Sequence, residues 1–143
     1  IASRSFSEFA SRVSKSTSTT TGAVKITGGL GVGGAIYAGG DVTAYSDERL
    51  KDNIETITNA VNKVDQLRGV TYTRKEDGIA STGVIAQDVE KVLPQAVTTD
   101  EDGMKAVKYG NMVGLLIEAI KEQNETIKGM QAEIAELKAR LNN

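Results

Sequence analysis

The chain has no cysteine, no histidine and no tryptophan, a single proline and only two phenylalanines among its 143 residues. Each absence removes chemistry. Without cysteine there is no disulfide and no thiolate nucleophile or ligand. Without histidine there is no Ser-His-Asp triad, no imidazole-ligated metal and no general base that ordinarily titrates near neutral pH. Proton transfer falls to Lys, Asp, Glu, Tyr or a chain terminus. Four tyrosines and two phenylalanines are thin material for a compact monomeric core, which points to burial between chains. No apolar run approaches the ~20 residues needed to span a bilayer. The 17 basic and 19 acidic residues are mixed along the chain and leave a net charge of −2. That is no electrostatic footprint for nucleic acid or for an anionic membrane. The sequence opens at Ile1 with no initiator Met and no basic-then-apolar leader, and is expected to be a piece of a longer protein.

What the chain has instead is clustered glycine. Residues 23–46 read in sixes as AVKITG, GLGVGG, AIYAGG and DVTAYS. The second and fourth places are Val24/Ile26, Leu30/Val32, Ile36/Ala38 and Val42/Ala44, all apolar. The sixth is Gly28, Gly34, Gly40 and then Ser46. Alternation at period two predicts a strand with one buried face, and glycine at a fixed place predicts a tight corner where positive φ is accessible. Short strand plus corner, repeated, predicts a β-solenoid. Three chains wound together bury such apolar ribbons better than one chain coiled on itself, so an intertwined trimeric β-helix is the favoured expectation. The stretch GLGVGG also fits G-x-G-x-x-G, but that fingerprint needs a following helix to receive phosphates, and another strand-like hexad follows instead. No cofactor and no metal are expected.

Ahead of the repeat, residues 1–15 place Ala2, Phe6, Phe9 and Val13 at helical spacing, as a short helix or as an irregular segment docking its two Phe. Behind it the texture changes. Residues 56–69 predict a helix with Ile57, Ala60, Val61, Val64 and Leu67 on one face, Thr56 or Thr58 as cap and Gly69 as stop. Residues 70–83 predict a hairpin around KEDG. Residues 84–93 predict a helix ended by Pro94, and residues 96–109 predict a second hairpin. From Tyr109 onward a heptad fits. Val113, Ile120, Ile127, Ile134 and Leu141 take the a places; Leu116, Gln123, Met130 and Leu137 take the d places. Glu133 at g and Lys138 at the following e favour parallel chains in register. The heptad alone does not separate dimer from trimer, but a shared three-fold axis with the β-helix favours a homotrimer. The expected fold is mixed: a trimeric β-helix segment within 1–45, a small α+β domain over 46–109, and a long helix over 110–143 in a parallel trimeric coiled coil.

The seam is chemically interesting. Ser46 stands where every other hexad has glycine, and Lys51 follows. A serine Oγ can attack the carbonyl carbon of the preceding residue, Tyr45, close a five-membered ring and collapse to an ester that water opens. The step needs Oγ held over the carbonyl and a base for its proton. Lys51 is the obvious base in a chain without histidine. An ordinary lysine titrates near ~10.4, so working at neutral pH requires a fall of roughly three pH units, about 4 kcal/mol, from desolvation or neighbouring cations such as Arg49. A subunit junction supplies that dryness better than a surface loop. On a helix the two side chains would lie about 140° apart, and on a strand ~17 Å apart. The pair therefore requires a tight turn across 47–50 or a lysine from a neighbouring chain. The alternative is a helix cap, with Asp47 and Glu48 favouring the first turn.

SDERLKDNI (46–54), GVIAQDVEKVLPQAV (83–97), a Tyr-Gly-Asn junction before a helix, and the terminal coil together closely resemble the self-cleaving C-terminal intramolecular chaperone domain of phage tailspikes and tail fibres. The resemblance covers residues 46 to about 140. The family pattern Ser-Asp-x-Arg-x-Lys is met by Ser46, Asp47, Arg49 and Lys51. The resemblance implies Ser46 as nucleophile, Lys51 as its partner, and cleavage between Tyr45 and Ser46 after the domain has trimerised the fibre. It also implies that residues 1–45 end the fibre shaft and stay in the virion, while 46–143 are released during assembly in the host bacterial cytoplasm. An uncleaved structural cap and a receptor-binding tip are the alternatives. The sequon at Asn124, the acidic pair Asp88/Glu90 and the cluster Asp100, Glu101, Asp102 are expected to be solvated or turn residues.

Overall fold

The computed structural model describes residues 18–22 and 24–142; the expected helix or Phe-docking segment at 1–15 lies outside them. The chain divides into two compact units, Ile1–Glu48 and Arg49–Asn143.

In the first unit, Ser18 and Thr21 close a polar turn, with the Ser18 amide donating to Thr21 Oγ1 at 3.1 Å. Beyond it the single chain forms no strand among the described residues of the hexad repeat. A β-strand needs a neighbouring backbone to bond, and one ribbon of hexads offers itself none. The period of six is nonetheless built in. The chain bends at residues 27–28, 33–34 and 39–40, so each bend takes in the sixth-place glycine. None of these corner glycines has positive φ; that conformation occurs at Gly22, Gly78 and Gly103. The corners do not use the positive φ that glycine makes accessible: the bends use ordinary backbone. All eight apolar places of the repeat are exposed.

The second unit is a small α+β domain with a long C-terminal helix. Its elements are α1 (Ala60–Asp65), β1 (Gly69–Thr73), β2 (Ala80–Val84), α2 (Ala86–Val92), β3 (Val97–Thr99), β4 (Lys105–Val107) and α3 (Met112–Leu141). Two antiparallel hairpins form. β1 pairs with β2 in the register Gly69↔Val84 to Thr73↔Ala80, and β3 pairs with β4 from Val97↔Val107 to Thr99↔Lys105. Turn chemistry explains both. Gly78 adopts φ 73° and its amide donates to the Arg74 carbonyl at 2.9 Å. The Asp77 carboxylate accepts from the Ile79 amide at 3.0 Å and pairs with Arg74. In the second hairpin the Asp100 carboxylate accepts from the amides of Asp102 and Met104, and Gly103 takes φ 81°. The acidic cluster 100–102 is therefore a turn that consumes its own leading carboxylate.

Two sequence expectations are corrected here, and the end of α2 before Pro94 is as expected. The first helix is capped by neither Thr56 nor Thr58: its N-cap is Asn59, in left-handed conformation at φ 56° and without a side-chain cap bond. Gly69 does not stop that helix but opens β1. Pro94 follows the end of α2 and leads a 3-10 turn, Pro94–Ala96, as its fixed φ allows at a first helical position.

The core is small. Ala60, Leu115 and Ala119 form one buried cluster, with Ile57, Val61 and Val64 around it. Val89, Ala96 and Met112 form another, with Val84, Val97 and Val107 around it. Leu67 and Leu93 touch both. Helix α3 gives Met112, Leu115 and Ala119 to these clusters. One turn further along, Glu122 reaches α1. Its two carboxylate oxygens accept from the amides of Ala60 at 2.8 Å and Val61 at 2.9 Å. These are the orphan N–H groups of a helix start, satisfied across the fold rather than from the adjacent sequence. The heptad residues Val113, Leu116, Ile120, Ile127, Met130, Ile134, Leu137 and Leu141 lie on another side of α3 and are each at least 45% exposed.

Truncating Leu115, which has no solvent exposure, to Ala is expected to cost roughly 2–5 kcal/mol. For so small a core that is enough to unfold the domain in a urea titration. The amides of Ala60 and Val61 hold the Glu122 carboxyl below its usual 4.5. A lowered folded-state pKa means that the bonded carboxylate stabilises the fold above the ordinary carboxyl range and that this support is lost as pH falls through the folded value. The melting temperature should therefore fall on acidification, and Glu122→Gln should flatten that acid limb while lowering the melting temperature at pH 7 by several degrees.

Candidate functional site

Tyr45, Ser46 and Asp47 belong to the end of the first unit, and Arg49 and Lys51 to the start of the second. The hexad rhythm stops here. No bend occurs at residues 45–46; the chain runs on into a 3-10 turn, Glu48–Leu50. Arg49 lies within it, and Lys51 follows it. Asn53 then takes φ 51°, a left-handed conformation that asparagine tolerates better than most residues. Ser46, Asp47, Arg49 and Lys51 each have a noncovalent partner already. All five candidate residues are exposed on the single chain, as are the apolar Tyr45, Leu50 and Ile54, each above 60%. The water exclusion that a lysine base needs is not supplied by the chain's own packing.

The second motif is built differently. Gly83 is the last residue but one of β2, and a β-carbon placed on it would stand 2.9 Å from the Tyr109 hydroxyl oxygen. Tyr109 opens the 3-10 turn Tyr109–Asn111 that leads into α3. Two motifs 26 residues apart by number (83 and 109 are their contact points) thus meet face to face, and glycine is required where the tyrosine lies across the strand. Asp88, in the first turn of α2, receives the Arg68 guanidinium at 2.8 Å and Lys91 at 3.3 Å. The Arg68 bond and then Lys91 hold its carboxyl below the usual 3.8. Glu90 pairs with Lys105 at 2.8 Å. The expectation of freely solvated helix residues is corrected: the Asp88 side chain is only 12% exposed, and both acids hold basic partners from other elements.

The sequence reading missed two contacts: Glu122 on α1, and Tyr109 over Gly83. Glu122 had a legible signal. On α3, Glu118 pairs with Lys121, Glu125 with Lys128 and Glu136 with Arg140. Glu122 and Glu133 have no basic residue three or four positions away in either direction. A helical carboxylate without its own-helix cation is a candidate for a bond elsewhere.

Comparison with known proteins fits this geometry. Residues 46–98 match the family described as "Chaperone of endosialidase". Residues 46–98 are a chaperone domain of that family. The match opens on Ser46, the residue at which the glycine hexads end. Relatives match a larger share of the chain. The Long tail fiber protein Gp37 of Salmonella phage S16 is 37% identical over 117 residues, 74% of this chain. That of Enterobacteria phage M1 is 40% identical over 101 residues, 64% of this chain. That of Enterobacteria phage K3 is 36% identical over 103 residues, 66% of this chain. The chain spans 16%, 40% and 8% of those relatives respectively. The chaperone domain is thus of the kind found at the C-terminal end of phage tail fibres. Among the described residues no helix is long and apolar enough to cross a membrane.

Proposed function

We propose that this chain trimerises and registers a phage tail fibre and then releases the chaperone from the shaft by cutting itself between Tyr45 and Ser46. The observation that carries the reading is the division of α3 into two apolar faces. One is filled by the chain's own domain, while the heptad seam stands open through Leu141. Only helices with the same repeat match such a seam along its length. Charge agrees: Glu133 and Lys138, at g and the following e, make no ion pair among the described residues, as interchain partners in a parallel coil would not. The glycine-cornered bends at a period of six suit a shaft of three strands that zips once its chains are aligned.

In the proposed reaction the Ser46 Oγ adds to the Tyr45 carbonyl carbon, and its proton passes to the Lys51 amine. The five-membered intermediate collapses, the C–N bond breaks, and the departing nitrogen takes the proton back from Lys51. The resulting ester joins Tyr45 to the Ser46 side chain. Water then adds to it, leaving a carboxylate on Tyr45 and a free hydroxyl and amine on Ser46. Asp47 and Arg49 support the turn and its charge. Because Lys51 is exposed on one chain, the dry environment that lowers an amine's basicity comes from assembly, with the lysine acting on its own chain's serine or on a neighbour's. Residues 1–45 remain with the fibre, and 46–143 leave.

Expressed chain should yield a fragment whose N-terminal residue is Ser46, read by mass spectrometry after denaturing electrophoresis. Ser46→Ala should stay whole yet still run as a trimer in solution, and Lys51→Ala should slow cleavage by at least ~100-fold. Dilution below the assembly threshold should stop cleavage of the wild type. An uncut wild-type trimer would make the domain a permanent structural cap. Cleavage by a monomer would sink the assembly-dependent site.

A further inference from the structure

The seam of α3 contains one polar layer. Gln123 takes a d place among apolar residues and is exposed on the single chain. The residues three or four places from it on the helix are Ala119, Ile120, Thr126 and Ile127. Only Thr126 has a hydrogen-bonding side chain, and its hydroxyl donates to the Glu122 carbonyl at 3.1 Å. Among the described residues no hydrogen bond engages the Gln123 side-chain amide. That amide carries two N–H donors and a carbonyl acceptor. Closing the seam takes it out of water, so its partners must come from the molecule that closes the seam.

The apolar layers by themselves distinguish alignments poorly. Sliding one helix by a heptad, ~10.5 Å along the axis, keeps a residues level with a residues and d with d. Ile120, Ile127 and Ile134 then replace one another without change. Leu116, Met130 and Leu137 exchange at nearly constant volume, a swap that packed layers tolerate. The slide brings Glu133 level with a neighbouring copy's Gln131 in place of Lys138, but exposed charge pairs contribute little. Beyond the overlap lost at the ends, the chemistry changes only at Gln123. Displaced by a heptad, it falls at the level of Leu116 or Met130, and neither side chain can satisfy an amide.

We propose that Gln123 sets the register of the coil: in three parallel copies of this chain each Gln123 amide donates to the Oε1 of the next, closing a ring of hydrogen bonds that exists only when the chains are level. The partner is a further copy because the seam around Gln123 is self-matching and because Glu133 and Lys138 offer complementary charge at its flanks. The residue does not act by adding strength, since a polar layer costs a coil stability. It acts against the alternatives: an amide buried without a partner disfavours a slipped coil by about tenfold or more. This inference rests on the parallel trimer of the proposed function and names the residue that aligns it.

Because the chain has no cysteine, engineered thiols report without background. Two full-length chains, one Met130→Cys and one Leu137→Cys, each also Ser46→Ala so that it stays whole, are co-expressed and mildly oxidised. With Gln123 present, disulfides should join position 130 to 130 and 137 to 137, as identified by mass after digestion. A bond from 130 to 137 requires a slip of one heptad. In Gln123→Leu chains that product should rise by about tenfold or more, although the trimer melts no lower than its parent. Gln123→Asn, which keeps an amide in the layer, should return the coil to one register. A Gln123→Leu trimer with no more of the 130-to-137 product than its parent overturns the register role and leaves the trimer reading intact. So does a parent that forms that product as readily as the like pairs. Chains that size as monomers at all concentrations overturn both.

Discussion

The contact of Leu115 and Ala119 on α3 with Ala60 on α1 is what the second unit hangs from. Without it the two short hairpins have no common support, since neither is more than two strands wide and neither buries a face by itself. The Glu122 carboxylate reinforces the contact where a six-residue helix most needs help, at its unsatisfied N-terminal amides. A helix as short as α1 is marginal on propensity alone; here it exists because a longer helix holds both its apolar face and its first turn.

The same long helix is committed elsewhere. Its heptad seam is turned away from the domain and left open, so on the proposed reading the element that organises the monomer is also the element that awaits other copies. This coupling has a consequence for order of events. Coil contacts are local along the chain and form quickly, whereas pairing of glycine-cornered shaft strands is non-local and slow. A triple shaft with a repeat of six has many equivalent alignments, and a coil in fixed register selects one. On the proposed reading, removing the coil after the shaft has zipped would leave a fibre whose persistence is set by a barrier to unfolding and not only by its equilibrium stability.

The chemistry proposed at residue 46 follows the same logic. Serine and lysine are poor reactants on an open surface, where the amine is solvated and the carbonyl unstrained. Tyr45, Leu50 and Ile54 are apolar and uncovered on one chain, in the same stretch of sequence as the proposed nucleophile Ser46. Reaction that waits for those groups to be buried is reaction that waits for assembly, which is what a device that must not cut early requires.

Much of this protein was legible from its residues alone. Turn chemistry at Asp77-Gly78 and at Asp100 to Gly103 specified the hairpins, because a left-handed glycine and a side-chain-to-amide bond are local events. The six-residue beat of the bends, the long helix, its heptad seam and the Ser-Asp-x-Arg-x-Lys motif were likewise written in spacing. Spacing did not say that Thr56 and Thr58 would leave α1 uncapped, that Glu122 would take their place from sixty residues away, or that Tyr109 would lie across Gly83. Nor did it say which faces of α3 the domain would cover, since c, g and e all offered apolar candidates at the first turns. Those choices were decided only by tertiary packing: they depend on which distant surfaces fill space together, and periodicity within one segment carries no information about that.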